Sequence, residues 1–290
     1  MANIKELRLR IKALKNTSKI TAAMKMVSAA KLKKAQDNNN RTKPYATRME
    51  EMLDRVLGSV DTPDHPLIKA RENRTTRYVL ISSDRGLCAG FNNNLFKAYQ
   101  RRPVDTTDYR ALGLGRRARE LLLRLSSDKA LSANFTNMPT YANASSIAKF
   151  LMKDYLEGKC DRVVLVYNRF RSVISQTPVF VPILPFTPEI KVATKLDPKN
   201  KGMRDDYFLE PDAEALFAEL LPKLVTLQVF RALLENAVGE HSARMAAMDS
   251  ATKNTKELIG SLTLTMNRAR QAAITRELIE SVSRAEALKG

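Results

Sequence analysis

The chain of 290 residues has no tryptophan, two histidines, two cysteines and ten glycines. Each scarcity argues against a class of function. Cys88 and Cys160 lie in separate apolar segments and form no CxxC pair. That speaks against a zinc site or a redox motif and for buried thiols in a reducing compartment. His65 falls in a turn-rich stretch and His241 in a long helical pattern, so neither is a ready base for Cys88 as a nucleophile. No apolar run approaches the ~20 residues needed to span a bilayer, and the N-terminus has no signal-peptide core. The sequons at Asn73, Asn134 and Asn143 therefore read as accidental.

Positive charge is what the chain has in excess. Its 49 basic and 31 acidic residues leave +18, which points to a polyanionic or strongly acidic partner. Residues 1–35 hold ten of the bases (Lys5, Arg8, Arg10, Lys12, Lys15, Lys19, Lys25, Lys31, Lys33, Lys34) and one acid, Glu6. Like charges four apart work against a helix, so an acidic partner is expected to offset them. A nucleic-acid reader would add aromatic or base-reading groups, and this stretch contains no aromatic residue. A membrane-surface helix would use bulky anchors on its apolar face.

Two long helices are expected at the ends. Residues 2–40 contain neither proline nor glycine, and Ile4, Leu7, Ile11 and Leu14 form a heptad seam. The apolar pattern then shifts phase to Ile20, Met24 and Val27. Pro44 is expected to kink this helix near its end. The last eighty or so residues, from Pro211 to Leu288, carry one internal proline, Pro222, and two glycines. An apolar stripe runs through Leu216, Leu220, Leu224, Leu227, Leu233, Ala237, Met245, Met248, Leu258, Leu262, Met266, Ala269, Ala273, Leu278 and Val282. A single helix of that extent would reach roughly 110 Å, so it needs a partner along its side. The N-terminal helix is the natural mate.

The middle alternates strand and helix. The apolar run Tyr78–Ile81, a helix through Leu95, Phe96 and Tyr99, a unit from Arg110 to Leu125, a helix over 145–156 and the strand 163–166 argue a doubly wound α/β domain. Pro178 and Pro182 confine the stretch from Val173 to Ile183 to a sheet edge. Residues 186–206 read as an irregular, mobile loop. The run Gly113, Leu114, Gly115, Arg116, Arg117, Ala118 fits a loose dinucleotide fingerprint, but it sits in the second unit and no ribose-binding acid follows at the expected spacing. No metal cluster, Walker loop or carboxylate pair stands out, and neither a cofactor nor catalysis is expected.

Three stretches carry a specific resemblance: IKALKNTSKITAAMKMVSAAKLKKAQ from Ile11, SDRGLCAGFNNN from Ser83, and ARMAAMDSATKNTKELIGSLTLTMNRARQAAITRELIE from Ala243, with DYFLEP at Asp206–Pro211. Their order and spacing along the whole chain closely resemble the gamma subunit of F-type ATP synthase. The resemblance implies an antiparallel, left-handed coiled coil of the terminal helices with a central doubly wound, Rossmann-like α/β domain. It divides the chain into 1–60, 61–206 and 207–290.

The implied function is that of a central rotor shaft. Rotation of the membrane c ring, driven by protons, would pass through it to the catalytic beta subunits for ATP synthesis, and ATP hydrolysis would drive the reverse. The implied partners are the alpha and beta subunits of the head, the epsilon subunit and the c ring. By the same resemblance Met24, Lys25, Arg244, Arg270, Gln271, Thr275 and Glu277 contact the head, while Tyr207 and Glu210 lie at the foot near epsilon and the ring. A peripheral place on the cytoplasmic face of a bacterial plasma membrane is expected.

Three positions depart from the family pattern: Ala89 where glycine is usual, Met266 where tyrosine is common, and Arg284 where glycine is preferred. On the residues alone two other classes stay open. A nucleic-acid-binding coiled coil is favoured by the charge, and a nucleotide-dependent enzyme rests on the glycine run.

Overall fold

The computed structural model describes residues 4–57, 65–72, 74–102, 108–124, 139–187 and 212–287. Two compact units emerge, one of Met1–Ala30 with Arg244–Gly290 and one of Lys31–Ala243. The two terminal helices, α1 (Ile4–Leu57) and α5 (Ala213–Ala287), each contribute to both.

The larger unit is built on a four-stranded sheet. Its strands are β1 (Thr75–Ile81), β2 (Asp108–Leu114), β3 (Arg162–Phe170) and β4 (Gln176–Leu184), in the order β2-β1-β3-β4. β1 pairs parallel with both β2 and β3, and β4 runs antiparallel to β3 at the edge. Because Pro178 and Pro182 cannot donate to a ladder, an edge place is the one a strand with two prolines tolerates. β1 is buried along nearly its whole length, as expected where helices cover both faces of a parallel sheet.

Alternation along the strands sorts side chains between two cores. Tyr78, Leu80, Ala111, Val164 and Val166 face α2 (Phe91–Gln100) and α3 (Arg116–Arg124), meeting Leu95, Tyr99, Ala118 and Leu122. Val79, Ile81, Leu112, Leu114, Val163 and Leu165 join the opposite and larger cluster. This second layer is made by α4 (Tyr141–Leu156) through Ile147, Leu151 and Tyr155, by α1 through Met49 and Leu53, and by α5 through Leu221 and Leu224. α4 starts at Thr140, whose hydroxyl accepts from the Asn143 N–H at 3.3 Å. The helix of α1 runs on through Pro44, which lies well inside it rather than near its end. The loop expected at 186–206 lies, from residue 188 on, outside the described residues.

The smaller unit is a pair of helices. In α1 the residues turned inward are Leu7, Ile11, Leu14, Ser18, Thr21 and Ser28, an unbroken three-and-four spacing once Lys25 is included. The expected phase shift is therefore absent. Ile20 and Val27 point outward, 60% and 56% exposed. Hydroxyl residues hold the seam where apolar ones were sought, because a threonine that bonds back onto its own helix can turn its methyl to a neighbour. On α5 the matching seam is Met248, Thr252, Thr255, Ile259, Leu262, Met266 and Ala269. Leu258, Leu278 and Val282, expected on that stripe, are exposed instead.

Candidate functional site

Polar contacts join the helices of the smaller unit. Lys25 Nζ donates to Asp249 Oδ1 at 2.6 Å, and the Thr252 hydroxyl lies 2.8 Å from the Thr21 hydroxyl. Moving up α1 from Thr21 to Lys25 moves down α5 from Thr252 to Asp249, so the helices run antiparallel. Lys253 approaches the other oxygen of Asp249 at 3.2 Å. Hydrogen bonds first from Lys25 and then from Lys253 hold the Asp249 carboxyl below the usual carboxylate range. Thr252, Thr255 and Thr263 each bond back to the carbonyl four residues earlier.

The same register shows where the pairing ends. With Thr21 opposite Thr252 and Lys25 opposite Asp249, Ile4 falls opposite about residue 270 of α5. Residues 271–287, a stretch of roughly 25 Å, continue past the described start of α1. There Ile274, Leu278, Ile279 and Val282 are exposed, Leu278 to 61%. Apolar surface of this extent, uncovered by the described residues of α1, suits a surface that another body covers.

The residues expected at the head divide into two groups. Arg270, Gln271, Thr275 and Glu277 are exposed at or beyond the end of the paired region. At 100° per residue, 270 and 277 lie within about 20° of each other and 271 and 275 within about 40°, so the two pairs together occupy one half of the helix. The Thr275 hydroxyl donates to the Gln271 carbonyl at 3.0 Å. Met24, Lys25 and Arg244 lie in the paired region instead. Met24 is half-buried, Lys25 is engaged by Asp249, and Arg244 is 8% exposed and engaged within the chain. Tyr207 and Glu210 lie outside the described residues. Asp249, Thr21 and Thr252 were not singled out beforehand. The signal was there in the opposite charges of Lys25 and Asp249 and in threonines at heptad positions.

The glycine run at 113–118 does make the turn between β2 and α3, with Gly115 at φ +92. In a dinucleotide site the first N–H groups of that helix would face a pyrophosphate. Here the chain itself takes them. Arg116 N–H donates to Asp84 Oδ1 at 3.0 Å, Arg117 N–H to the Ser83 carbonyl at 3.2 Å, and Ala118 N–H to the Ser82 hydroxyl at 2.7 Å. A Cβ on Gly115 would lie 2.6 Å from the Ser82 carbonyl oxygen, which shows how closely the loop after β1 is pressed there.

That loop is itself strained. Leu87 and Ala89 adopt φ of 63° and 48°, the left-handed region that glycine favours. The turn holds Cys88 at 2% exposure, with its sulfur 3.4 Å from Asn92 Nδ2. The Asn92 amide also bonds Ser83, so Cys88 is packed into a polar staple and has no imidazole beside it among those contacts.

A family model described as ATP synthase matches residues 3–288. Among similar proteins, the ATP synthase gamma chain of Trichlorobacter lovleyi is 43% identical, and that of an Anaeromyxobacter species 45%, each over the whole of both chains. Among solved structures, a central stalk/c-ring structure of the Tetrahymena thermophila mitochondrial ATP synthase shares 25% identity over 80% of this chain and 99% of its own, with a TM-score of 0.59. A chain of the Euglena gracilis mitochondrial ATP synthase has the same fold, with a TM-score of 0.69 over 98% of this chain and 94% of its own at 21% identity. With full-length relatives above 40% identity and a family model over nearly every residue, the chain belongs to the gamma-chain family of ATP synthases.

Proposed function

We propose that the smaller unit turns inside the catalytic head, with the unpaired end of α5 held in an apolar sleeve and the polar residues on one half of that helix passing torque to the alpha and beta subunits. As a gamma chain, the protein is a non-catalytic central-stalk subunit of a proton-transporting ATP synthase. The observation that carries the finer reading is the run of exposed apolar residues at 274–282, past the described start of α1. A shaft must be enclosed without sticking. Smooth, weakly specific contact of Ile274, Leu278 and Val282 suits this, and Met24 adds an adaptable thioether lower down. Arg270, Gln271, Thr275 and Glu277 supply the polar contacts to the head. Among the described residues Arg8, Arg10, Lys12, Lys15 and Lys19 have no acidic partner, and they suit attraction to acidic loops of the head that needs no single locked geometry.

Tyr207 and Glu210 are assigned by family pattern to the foot, where epsilon and the c ring would dock. The segments 1–60, 61–206 and 207–290 then serve as first shaft helix, body and second shaft helix. The bacterial relatives support a peripheral place on the cytoplasmic face of the plasma membrane.

Reconstitution tests this reading. Mixed with alpha and beta subunits, the chain should form a stable complex with ATP hydrolysis well above that of the separate subunits. No complex, with activity at the level of the separate subunits, would overturn it. Lys25 has two assignments, an in-chain bond to Asp249 and an outward contact with the head, and a charge swap separates them. If the bond is what matters, K25D and D249K each impair ATP-driven proton pumping and the double variant restores it. If the outward contact matters, the double variant stays as defective as K25D.

A further inference from the structure

The chain passes between the two units at two places, after Ala30 within α1 and after Ala243 within α5. A turning force that follows the chain therefore has two routes, and they are not held alike. On the larger unit's side of its crossing, every residue of α5 from 236 to 243 is buried. That run makes just over two turns, so the helix is enclosed in every direction. Full burial normally calls for a helix that is apolar all round. This one includes Asn236, Gly239, Glu240, His241 and Ser242.

The polar groups pin the helix to its surroundings. The Ser242 hydroxyl donates to the Val173 carbonyl at 2.7 Å and accepts from Gln176 Nε2 at 3.4 Å. Gln176 Nε2 also reaches the Ser172 and Val173 carbonyls, at 3.1 and 3.0 Å, which fixes the hairpin between β3 and β4 around this contact. Further back along α5, Asn236 Nδ2 approaches the Ser82 carbonyl at 3.5 Å. At 100° per residue the two pins lie about 120° apart around the helix axis. Gly239 lets the wall close in between them. A Cβ there would come within 3.1 Å of Phe91 Cε2, 3.5 Å of Gln176 Cγ and 3.6 Å of the Asn168 carbonyl oxygen. Asn168 Nδ2 in turn donates to the Phe91 carbonyl at 2.9 Å, tying the start of α2 to β3.

α1 is held otherwise. None of its residues from 33 to 45 is buried. The stretch contains Asn38, Asn39 and Asn40, all poor helix formers, and Pro44, whose missing N–H leaves the Asn40 carbonyl without its helical donor. A helix enclosed all round and pinned at two angles cannot turn without breaking those bonds, whereas one held on a single face can roll or bend. We propose that α5, gripped at 236–243, is the drive helix that carries torque between the two units, with Gln176 and Ser242 as the positioning residues that stop it turning in its socket. α1 between 33 and 45 follows rather than drives. This rests on the shaft turning inside the head.

The test uses the complex reconstituted with alpha and beta subunits. A bead fixed to the larger unit reports its angular spread during pauses in ATP-driven turning. Q176A/S242A should widen the angular variance by about twofold or more, because side-chain bonds that resist turning are lost, with ATP hydrolysis unchanged. N38G/N39G/N40G, which softens α1, should widen it far less. Equal or greater widening by the asparagine variant overturns the assignment to α5. A lower urea midpoint for Q176A/S242A without a wider variance gives the pins a role in stability alone and overturns it too. If the unaltered chain does not turn in the complex, the shaft reading falls first; if it turns and Q176A/S242A shows the same spread, this inference alone falls.

Discussion

Ala89 offers a test in which one chemical change has opposite signs at two places. Its φ of 48° puts an L-residue with a Cβ where the left-handed conformation costs roughly 1–2 kcal/mol. Replacing it with glycine removes that cost but loosens the unfolded chain, which takes back about 0.4–1 kcal/mol. The balance favours A89G by about 0.5–1 kcal/mol. For a unit of this size, that raises the melting temperature by roughly 1–4 °C. The control is A98G, in the ordinary helical stretch of α2, where glycine costs about 1 kcal/mol. Thermal unfolding of the full-length chain by calorimetry, with urea midpoints as a second measure, reads both. The reasoning fails if A89G lowers stability as A98G does. A gain for both would fail it too, since that would owe nothing to the backbone angle at residue 89.

Other consequences follow from buried contacts. Arg77 and Asp154 pair at 3.0 Å with side chains 9% and 6% exposed, and D154N should cost about 3–5 kcal/mol in urea unfolding. Replacing both at once, R77M/D154L, should recover most of that loss, whereas additive losses would show that the pair is not what holds the two side chains there. G115A places a Cβ 2.6 Å from a carbonyl oxygen at φ +92 and should destabilise by about 2 kcal/mol or more, with the α3 amides exchanging faster with solvent. Asp249 has its carboxyl held down by Lys25 and Lys253, so its contribution is full at neutral pH and fades as pH falls through and below the usual carboxylate range of about 4. Unfolding followed from pH 7 to pH 3 should show an acid loss that D249N lacks; equal acid losses in both chains would assign it to other carboxylates.

Much of the α/β body was legible because burial on a sheet follows a period of two and prolines mark an edge. Tyr78–Ile81, Val163–Val166 and the proline-bearing β4 came out where those rules put them. The coiled coil was legible in kind but not in phase. A search for apolar periodicity selects Ile20, Val27 and Leu258, yet the seam runs through Ser18, Thr21, Ser28, Thr252 and Thr255. Hydropathy ranks these hydroxyl residues as surface, and only the helix opposite tells them from it. The capping of α3 by Ser82 and Asp84 was hidden for another reason. The partners are more than thirty residues apart, and no local period links them. Ala89 was visible as an odd residue in its loop, but its cost could be stated only once its φ was known.

The polar middle of the seam then needs a reason, since leucines there would bind the helices more tightly. A stripe of identical apolar residues allows an antiparallel pair to slip by a heptad at little cost, and one such slip moves the helices past each other by roughly 10 Å. Lys25 with Asp249, and Thr21 with Thr252, are satisfied in one alignment only. A heptad slip would set Lys25 against Lys256 or Ser242 and leave the Asp249 carboxylate with Lys253 alone. Polar groups at a few seam positions thus trade stability for a single register. That register sets how far α5 extends beyond α1. Seventeen of the described residues continue past the described start of α1, and a heptad slip would shorten or lengthen that end by nearly half. If the exposed end of α5 meets a bearing in the head, as proposed, the threonines and the Lys25–Asp249 bond would fix the height at which it does so.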